Sequence, residues 1–298
     1  MEIFYNGKDI SSHVETKECI YESRCDNTLS HLRISFEDNQ QFDLYGMRNG
    51  DEIRVKDGSV DSKKMYINKV NPRGSVYEIT ANPIKQSVVA IRDKKIWKNV
   101  KFEKVLCDLA QKMNLSFEFY GIPNVIYANV EQDNERIVEF AARLARLEGC
   151  ILTFFNGRLI VASCRYLAEQ AVRNNFEIDN GDVSLTNKPL YSKCQVFDDG
   201  KEGSYSIQIE GGTLTCRMKL SSIKEGNRFA KNLLEYHNSS AKIGCITADD
   251  LLDQYSSGSY VTVVSKDYPR ANGNALIYRM RHDLVHGYSK VWLRYQEA

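Results

Sequence analysis

Between residues 131 and 162 the chain reads EQDNERIVEFAARLARLEGCILTFFNGRLIVA, and its apolar positions change period partway through. Ile137, Phe140, Ala141, Leu144 and Leu147 recur every three or four residues, which lines them up on one side of a helix. Arg136, Glu139, Arg143 and Arg146 take the opposite, wet side. Asp133 or Asn134 is placed to cap the first turn, and Glu135 puts negative charge at the positive end of the helix dipole. Gly149 follows the last periodic residue, where a left-handed C-terminal cap suits glycine best. After it, 150–155 and 158–162 are β-rich runs separated by Asn156-Gly157, a pair that tolerates the positive φ values of a type I′ turn. The pattern predicts a helix followed by a hairpin.

Elsewhere the period is mostly two. Over 1–92 short alternating runs sit between turn residues, and no window fits a helix well. Ile3 to Tyr5, Asn6-Gly7 and Lys8 to Ile10 form a first hairpin; Leu32, Ile34 and Phe36 alternate with polar neighbours. Asn49-Gly50 leads into a strand at 51–55, and strands at 65–70 and 75–81 are joined by Asn71-Pro72-Arg73-Gly74. Phe102, Val105, Leu106, Leu109, Ala110 and Met113 then mark a helix over 101–113 that Asn114 can end. A short strand at 115–120 and a link at 125–130 return the chain to 131–162. Downstream, strands are expected at 191–197, 260–264, 275–282 and 289–295, with a hairpin of 204–210 and 213–219 around Gly211-Gly212. Phe229, Ala230, Leu233 and Leu234 mark a helix over 226–237, and 249–254 is a candidate helical turn. The resulting fold class is mainly β (α+β): a β unit at 1–92, an α/β insert at 93–163 and a second β unit with one helix at 164–298. Part of 164–200 is free to return and complete the first β unit. Such strand spacing favours a barrel or sandwich.

At 298 residues and 42% hydrophobic, the chain is large enough for two or three folded units. Its 40 basic and 39 acidic residues nearly cancel, so the bulk charge gives no reason to expect tight nucleic-acid or anionic-membrane binding. It opens as MEIFY, without a basic leader and apolar run, and carries no apolar stretch of spanning length, which predicts a soluble product made in a cytoplasm. The eight cysteines include no C-x-x-C pair, which predicts small buried hydrophobes rather than a zinc site or a disulfide framework.

Catalytic signatures are sparse. His282 and His286 in H-D-L-V-H have metal-ligand spacing only on a helix; on the strand expected there they stand about 13 Å apart. G-x-S-x-G, G-x-x-x-x-G-K and H-E-x-x-H are absent from the sequence, while 39 acids always include candidate pairs for glycoside cleavage. The reading is a non-enzyme, with no catalytic, metal or cofactor site assigned. Tyr66, Tyr77, Tyr205, Tyr260, Tyr278, Tyr288 and Tyr295 fall in or beside strands, where aromatics pack well without any ligand.

Two runs together resemble a known family: W-x-N-V-x-F-x-x-V-L-x-D-L-A-x-x-M-x-L over 97–115 and V-x-Q-D-N-E-R-I-V-E-F-A-A-R-L-A-R-L-E-G over 130–149. With D-I-S-S-H-V at 9–14, N-G-D-E-I-R-V at 49–55, F-A-K-N-L-L at 229–234 and I-Y-R-M-R-H-D-L-V-H-G-Y-S-K-V-W-L-R at 277–294, the chain resembles the late control protein D family over nearly its whole length. These are baseplate hub proteins of contractile-tailed phages and phage-tail-like bacteriocins. The family's usual Ser-Asp-x-x-F-L segment is here Asp133 to Val138. The resemblance implies two β-barrel tube domains per chain and a homotrimer whose six barrels join a hexameric tail tube to a trimeric spike. It also implies contacts with other baseplate proteins and a place in a virion or tail-like particle assembled in the bacterial cytoplasm. On that plan the arginine side of the 137–147 helix is an expected contact with a baseplate neighbour. The rival expectation is a cell-wall-active protein, a peptidoglycan hydrolase or a LysM-like wall-binding module built on the 101–113 helix.

Overall fold

Strand Gly273–Asp283 has more neighbours than its length first allows, and it organises the molecule. In the computed structural model, which describes residues 1–37, 46–170, 175–177 and 182–295, one edge of this strand pairs with Tyr288–Tyr295. Its other edge is shared: Ala275 and Leu276 pair with Tyr260–Val264, while Arg279 to Asp283 pair with Glu15–Arg24. A bulge between Ile277 and Arg279 separates the two stretches and re-aims the strand from one partner to the next. As a result 14 strands from both ends of the chain form one sheet. Its path runs from Asp182–Asn187 through Lys242–Ala248, Tyr288–Tyr295 and Gly273–Asp283 into Glu15–Arg24, and then through His31–Glu37, Val76–Asn82, Met65–Arg73 and Glu52–Asp57 to Glu2–Tyr5 and Lys8–Asp9.

The fold is mainly β, as the alternation predicts. The expected pair of separate barrels takes a different form: the two β units share the sheet, and among the described residues its path is open. Each half still has its own apolar core. Leu32, Ile34, Phe36, Val55, Ile67 and Ile79 anchor one; Val261, Ala275, Ile277, Met280, Val291 and Leu293 anchor the other. The described strands of 164–200 pair not with the first unit but with Tyr260–Val264, with Lys242–Ala248 or within a separate small sheet.

Several turns fall where local chemistry puts them. Asn6-Gly7 and Asn156-Gly157 all take positive φ, closing the first hairpin and the Cys150–Phe155/Arg158–Ser163 hairpin. The turn expected at 71–74 lies further on, because Pro72 pairs with Tyr77 and Arg73 with Val76, leaving Gly74-Ser75 as the loop. Proline is tolerated there because the next strand, Glu52–Asp57, reaches only Met65 and Tyr66. Among the described residues, the expected helix-free 1–92 contains a 3-10 turn at Ser11–His13 and a helical turn at Gln86–Val89, and 249–254 forms bends and a turn rather than a helix.

The α/β unit is a duplicated motif. Arg92–Lys101 runs into helix Phe102–Lys112 and strand Ser116–Tyr120; Ile126–Arg136 runs into helix Ile137–Leu147 and strand Cys150–Phe155. At matching positions Asn99 and Asn134 take positive φ in the first strands, and Asn114 and Gly149 take it just past the helices. The 125–130 link is thus the start of a strand that continues to Arg136. Asp133 and Asn134 do not cap the helix, whose N-cap is Arg136 with no side-chain cap bond; Asn134 sits at a bulge where its tolerance of positive φ is used instead.

The expected 204–219 hairpin also rearranges. Lys201–Ser206 pairs antiparallel with Tyr191–Asp198, and Gly212–Arg217 pairs parallel with that same strand on its far side. Gly211 is held against the backbone of Leu190, so close that a Cβ there would lie 2.5 Å from the Leu190 carbonyl oxygen. Helix Ile223–Asn238 starts earlier than expected, at a cap in which Ser222 accepts from Glu225 N–H while the Glu225 carboxylate accepts from Ser221 N–H. Its Phe229, Ala230, Leu233 and Leu234 bury themselves in the core of the α/β unit rather than in the second β unit. At Gly149, φ is +66° and an added Cβ would meet Asn232 Oδ1 at 3.1 Å. Gly149→Ala is therefore expected to lower stability by about 1–2 kcal/mol, read as a shift of the urea midpoint without a change of slope.

Candidate assembly interface

At the seam where the two β units meet, Glu22 is 1% exposed yet carries a full charge. Arg24 Nε reaches its Oε1 at 2.7 Å, while Arg279 Nη2 and Arg281 Nη2 reach its Oε2 at 2.7 and 2.9 Å. Burial alone would raise the carboxyl pKa; the bonds from Arg279 and Arg24 outweigh it and hold Glu22 at about 2. Trp292 lies beneath, with the Arg279 guanidinium 4.0 Å from its ring centre and Arg281 at 5.7 Å. On the adjoining strand Arg33 bridges Glu18 and Glu78 at 3.1 and 3.0 Å. The polar face of the sheet is thus continuous across the seam, so both units present one charged surface.

The α/β unit is tied to this scaffold by polar contacts that have no local sequence signal. Leu152 N–H donates to Asn27 Oδ1 at 2.9 Å, and Thr153 Oγ1 donates to the Arg24 carbonyl at 2.7 Å. Inside the unit, buried Glu148 accepts from Tyr127 Oη at 2.7 Å and from Arg228 Nε at 3.0 Å. Burial raises the Glu148 pKa, with the Arg228 charge pulling the other way. A cavity of about 620 Å³ lies where the three units approach one another, lined by Tyr21, Lys56, Tyr120, Phe155 and Tyr255 among others.

The side chains singled out from the sequence are not brought together as a site. Arg143 is engaged by Glu135 at 2.8 Å and Arg136 by Glu139 at 3.4 Å. Arg146 leaves the wet side, stacking 4.8 Å from the Tyr236 ring centre. Arg136 and Arg143 thus have partners within the chain while staying exposed, and Arg146 is partly covered. His282 is buried on its strand with Nδ1 at 2.9 Å from Ser289 Oγ, and burial pushes its pKa down to about 4. His286 Nδ1 lies instead 3.0 Å from Asp283 Oδ2. Tyr260 and Tyr295 are core residues, Tyr278 packs under Arg294 at 4.3 Å, and Tyr66 and Tyr205 lie beside Lys85 and Lys231. The eight cysteines are free thiols, four of them buried. Among the described residues no cluster of three metal-ligating side chains occurs, and no helix is long and apolar enough to cross a membrane.

No protein-family model and no curated protein matches the sequence. The fold is nonetheless one that phage tail proteins share. The chain is similar to the 43 kDa tail protein of prophage MuSo2 from Shewanella oneidensis, with a TM-score of 0.76 at 10% identity, covering 99% of this chain and 98% of that one. A tail protein from Neisseria meningitidis MC58 gives a TM-score of 0.74 at 12% identity over 98% and 95% of the two chains. The E. coli c3393 protein is described as a type VI secretion component with structural similarity to the T4 tail proteins gp27 and gp5. It gives a TM-score of 0.63 at 11% identity over 100% of this chain and 77% of its own.

The seam has a measurable consequence. Glu22→Gln leaves Arg279 and Arg281 without their carboxylate and Arg24 with only Asp26 at 4.0 Å, and is expected to cost on the order of 3 kcal/mol, after allowance for their partial exposure. Because its folded pKa is depressed, the stability Glu22 supplies is complete above its ordinary value of 4.5 and is lost as pH falls toward about 2. Urea unfolding of the parent chain should steepen with acid across that window, and the variant should lack this part of the slope.

Proposed function

We propose that this chain is a structural hub of a contractile injection particle, a homotrimer that joins a trimeric spike to a hexameric tail tube. The observation that carries the reading is the near-complete, reciprocal coverage of tail proteins by the whole fold, not by one domain of it. The described likeness of the E. coli neighbour to two T4 tail proteins supports the same placement. So does the late control protein D resemblance in sequence. Two β units locked into one sheet suit a ring element: each chain offers two similar-sized blocks whose mutual orientation the seam fixes. Three such chains supply six blocks for a sixfold tube while keeping threefold symmetry for a spike. The subunit contacts should be large and partly apolar. Particle assembly in the bacterial cytoplasm, with other baseplate proteins as neighbours, belongs to the same proposal.

The wall-active alternative rests on the helix that now reads Phe102–Lys112. Its apolar residues are consumed in the α/β core, where it is one half of a duplicated motif. In solution or with its tube or spike partner, the protein is expected to form threefold rings, visible by mass measurement or electron microscopy. A chain that stays monomeric and joins no tail assembly would refute the hub. Incubated with peptidoglycan, it should neither release soluble fragments nor sediment with the wall; either result would favour the alternative.

A further inference from the structure

The two-stranded ribbon of Arg92–Lys101 and Ile126–Arg136 stands apart from the large sheet, and its two outer edges differ. On the Ile126–Arg136 side, the Asn129 carbonyl accepts from Ser221 Oγ and the Glu131 carbonyl from Arg143 Nη2, both at 3.3 Å. These carbonyls face away from the ribbon. Asn129 and Glu131 lie opposite Lys98 and Ile96. In an antiparallel ladder, paired residues turn their backbone groups inward or outward together, so Ile96 and Lys98 point their N–H and C=O groups off the other edge. Among the described residues, no other element bonds to that edge; its one outward contact is local, from Lys94 N–H to the Asp93 carboxylate at 2.9 Å.

This open edge is both cationic and apolar. Arg92, Lys94, Lys95, Lys98 and Lys101 are exposed along it, with Asp93 the strand's single acid. Lys94 and Lys95 have acidic neighbours at 3.6 and 3.3 Å, whereas Lys98 and Lys101 have no ion pair among the described residues. Ile96, 54% exposed, is the large apolar side chain of this strand. Ile126 and Ile223, exposed at 59% and 58%, lie on the partner strand and just past the Ser221 contact at the other edge. Lysines on an edge strand discourage pairing with a second copy, because two such edges would set like charges opposite each other. Edge protection alone leaves exposed Ile96 without a role.

We propose that the Arg92–Lys101 edge accepts an extended, acidic segment of another protein as a third strand. Backbone groups of Ile96 and Lys98 supply the hydrogen bonds, the lysines face its carboxylates, and Ile96 receives an apolar side chain. The proposal is independent of the hub reading. Its probe is a fluorescent ten-residue peptide alternating glutamate and valine, with a lysine-for-glutamate control, duplex DNA and phosphatidylserine vesicles as the other arms. The acidic peptide is expected to bind more weakly as salt rises and to slow amide hydrogen exchange at Ile96 and Lys98. Lys98→Pro removes an outward donor while sparing the ladder to Ile126–Arg136, and should weaken binding by about tenfold or more. The Lys94→Glu, Lys98→Glu double variant tests the charge requirement with the backbone unchanged and should show a similar loss. No slowing of exchange along 92–101 at saturating peptide would overturn the proposal. Equal binding by the lysine control would do so too, as would binding of DNA or vesicles in place of the acidic peptide.

Discussion

A single strand serving two cores is the constraint on which this molecule depends. Gly273–Asp283 buries Ala275, Ile277 and Met280 in the C-terminal core, and after its bulge continues as the partner of Glu15–Arg24 at the margin of the N-terminal one. A regular strand would keep its direction and leave one unit's edge uncovered. The bulge turns it instead. Joining the units this way places Glu22, Arg24, Arg279 and Arg281 on the same face at the same point, and Glu22 is buried because three guanidinium groups close over it. Removing one charge from such a group costs more than the group contributes over an apolar substitute, so the cluster acts chiefly to fix how the two units meet.

The α/β unit obeys a different logic. Its two strand–helix–strand motifs share a core with helix Ile223–Asn238 and the small sheet around Tyr191–Asp198, so segments far apart in the chain fold as one body. Its attachment to the β scaffold combines polar contacts of the Cys150–Phe155 strand with Asn27 and Arg24 and a small buried apolar cluster in which Ile151 and Ala162 meet Cys25, Tyr260 and Leu276. The lysine-bearing ribbon is a separate two-stranded sheet and takes no part in the large one.

Much of the local structure was legible because its causes are local. The Asn156-Gly157 turn, the left-handed Gly149 and the apolar stripes of both α/β helices depend on residues within one or two turns of each other. Where the reading failed, one residue type served two purposes. Asn134 can cap a helix or occupy a positive-φ bulge, and only the pairing with Arg92–Lys101 selects the bulge. Gly211-Gly212 satisfies a hairpin signal, yet Gly211 is needed for its approach to Leu190, and the strand after it joins Tyr191–Asp198 from the other side. Arg146 stands on the polar side of its helix by sequence, and Tyr236 covers it from 90 positions away in the chain.

The sequence by itself determined the mainly β class, the two helices of the α/β unit, the Asn6-Gly7 and Asn156-Gly157 hairpins and the absence of a familiar catalytic motif, since periodicity and turn chemistry act over a few residues. Tertiary structure alone decided that the two β units share one sheet, that Glu22 is a buried anion under arginines, and that one edge of a lysine-rich ribbon stays open among the described residues. Each of those facts depends on which distant strands become neighbours, and alternation specifies a strand's faces without naming its partners.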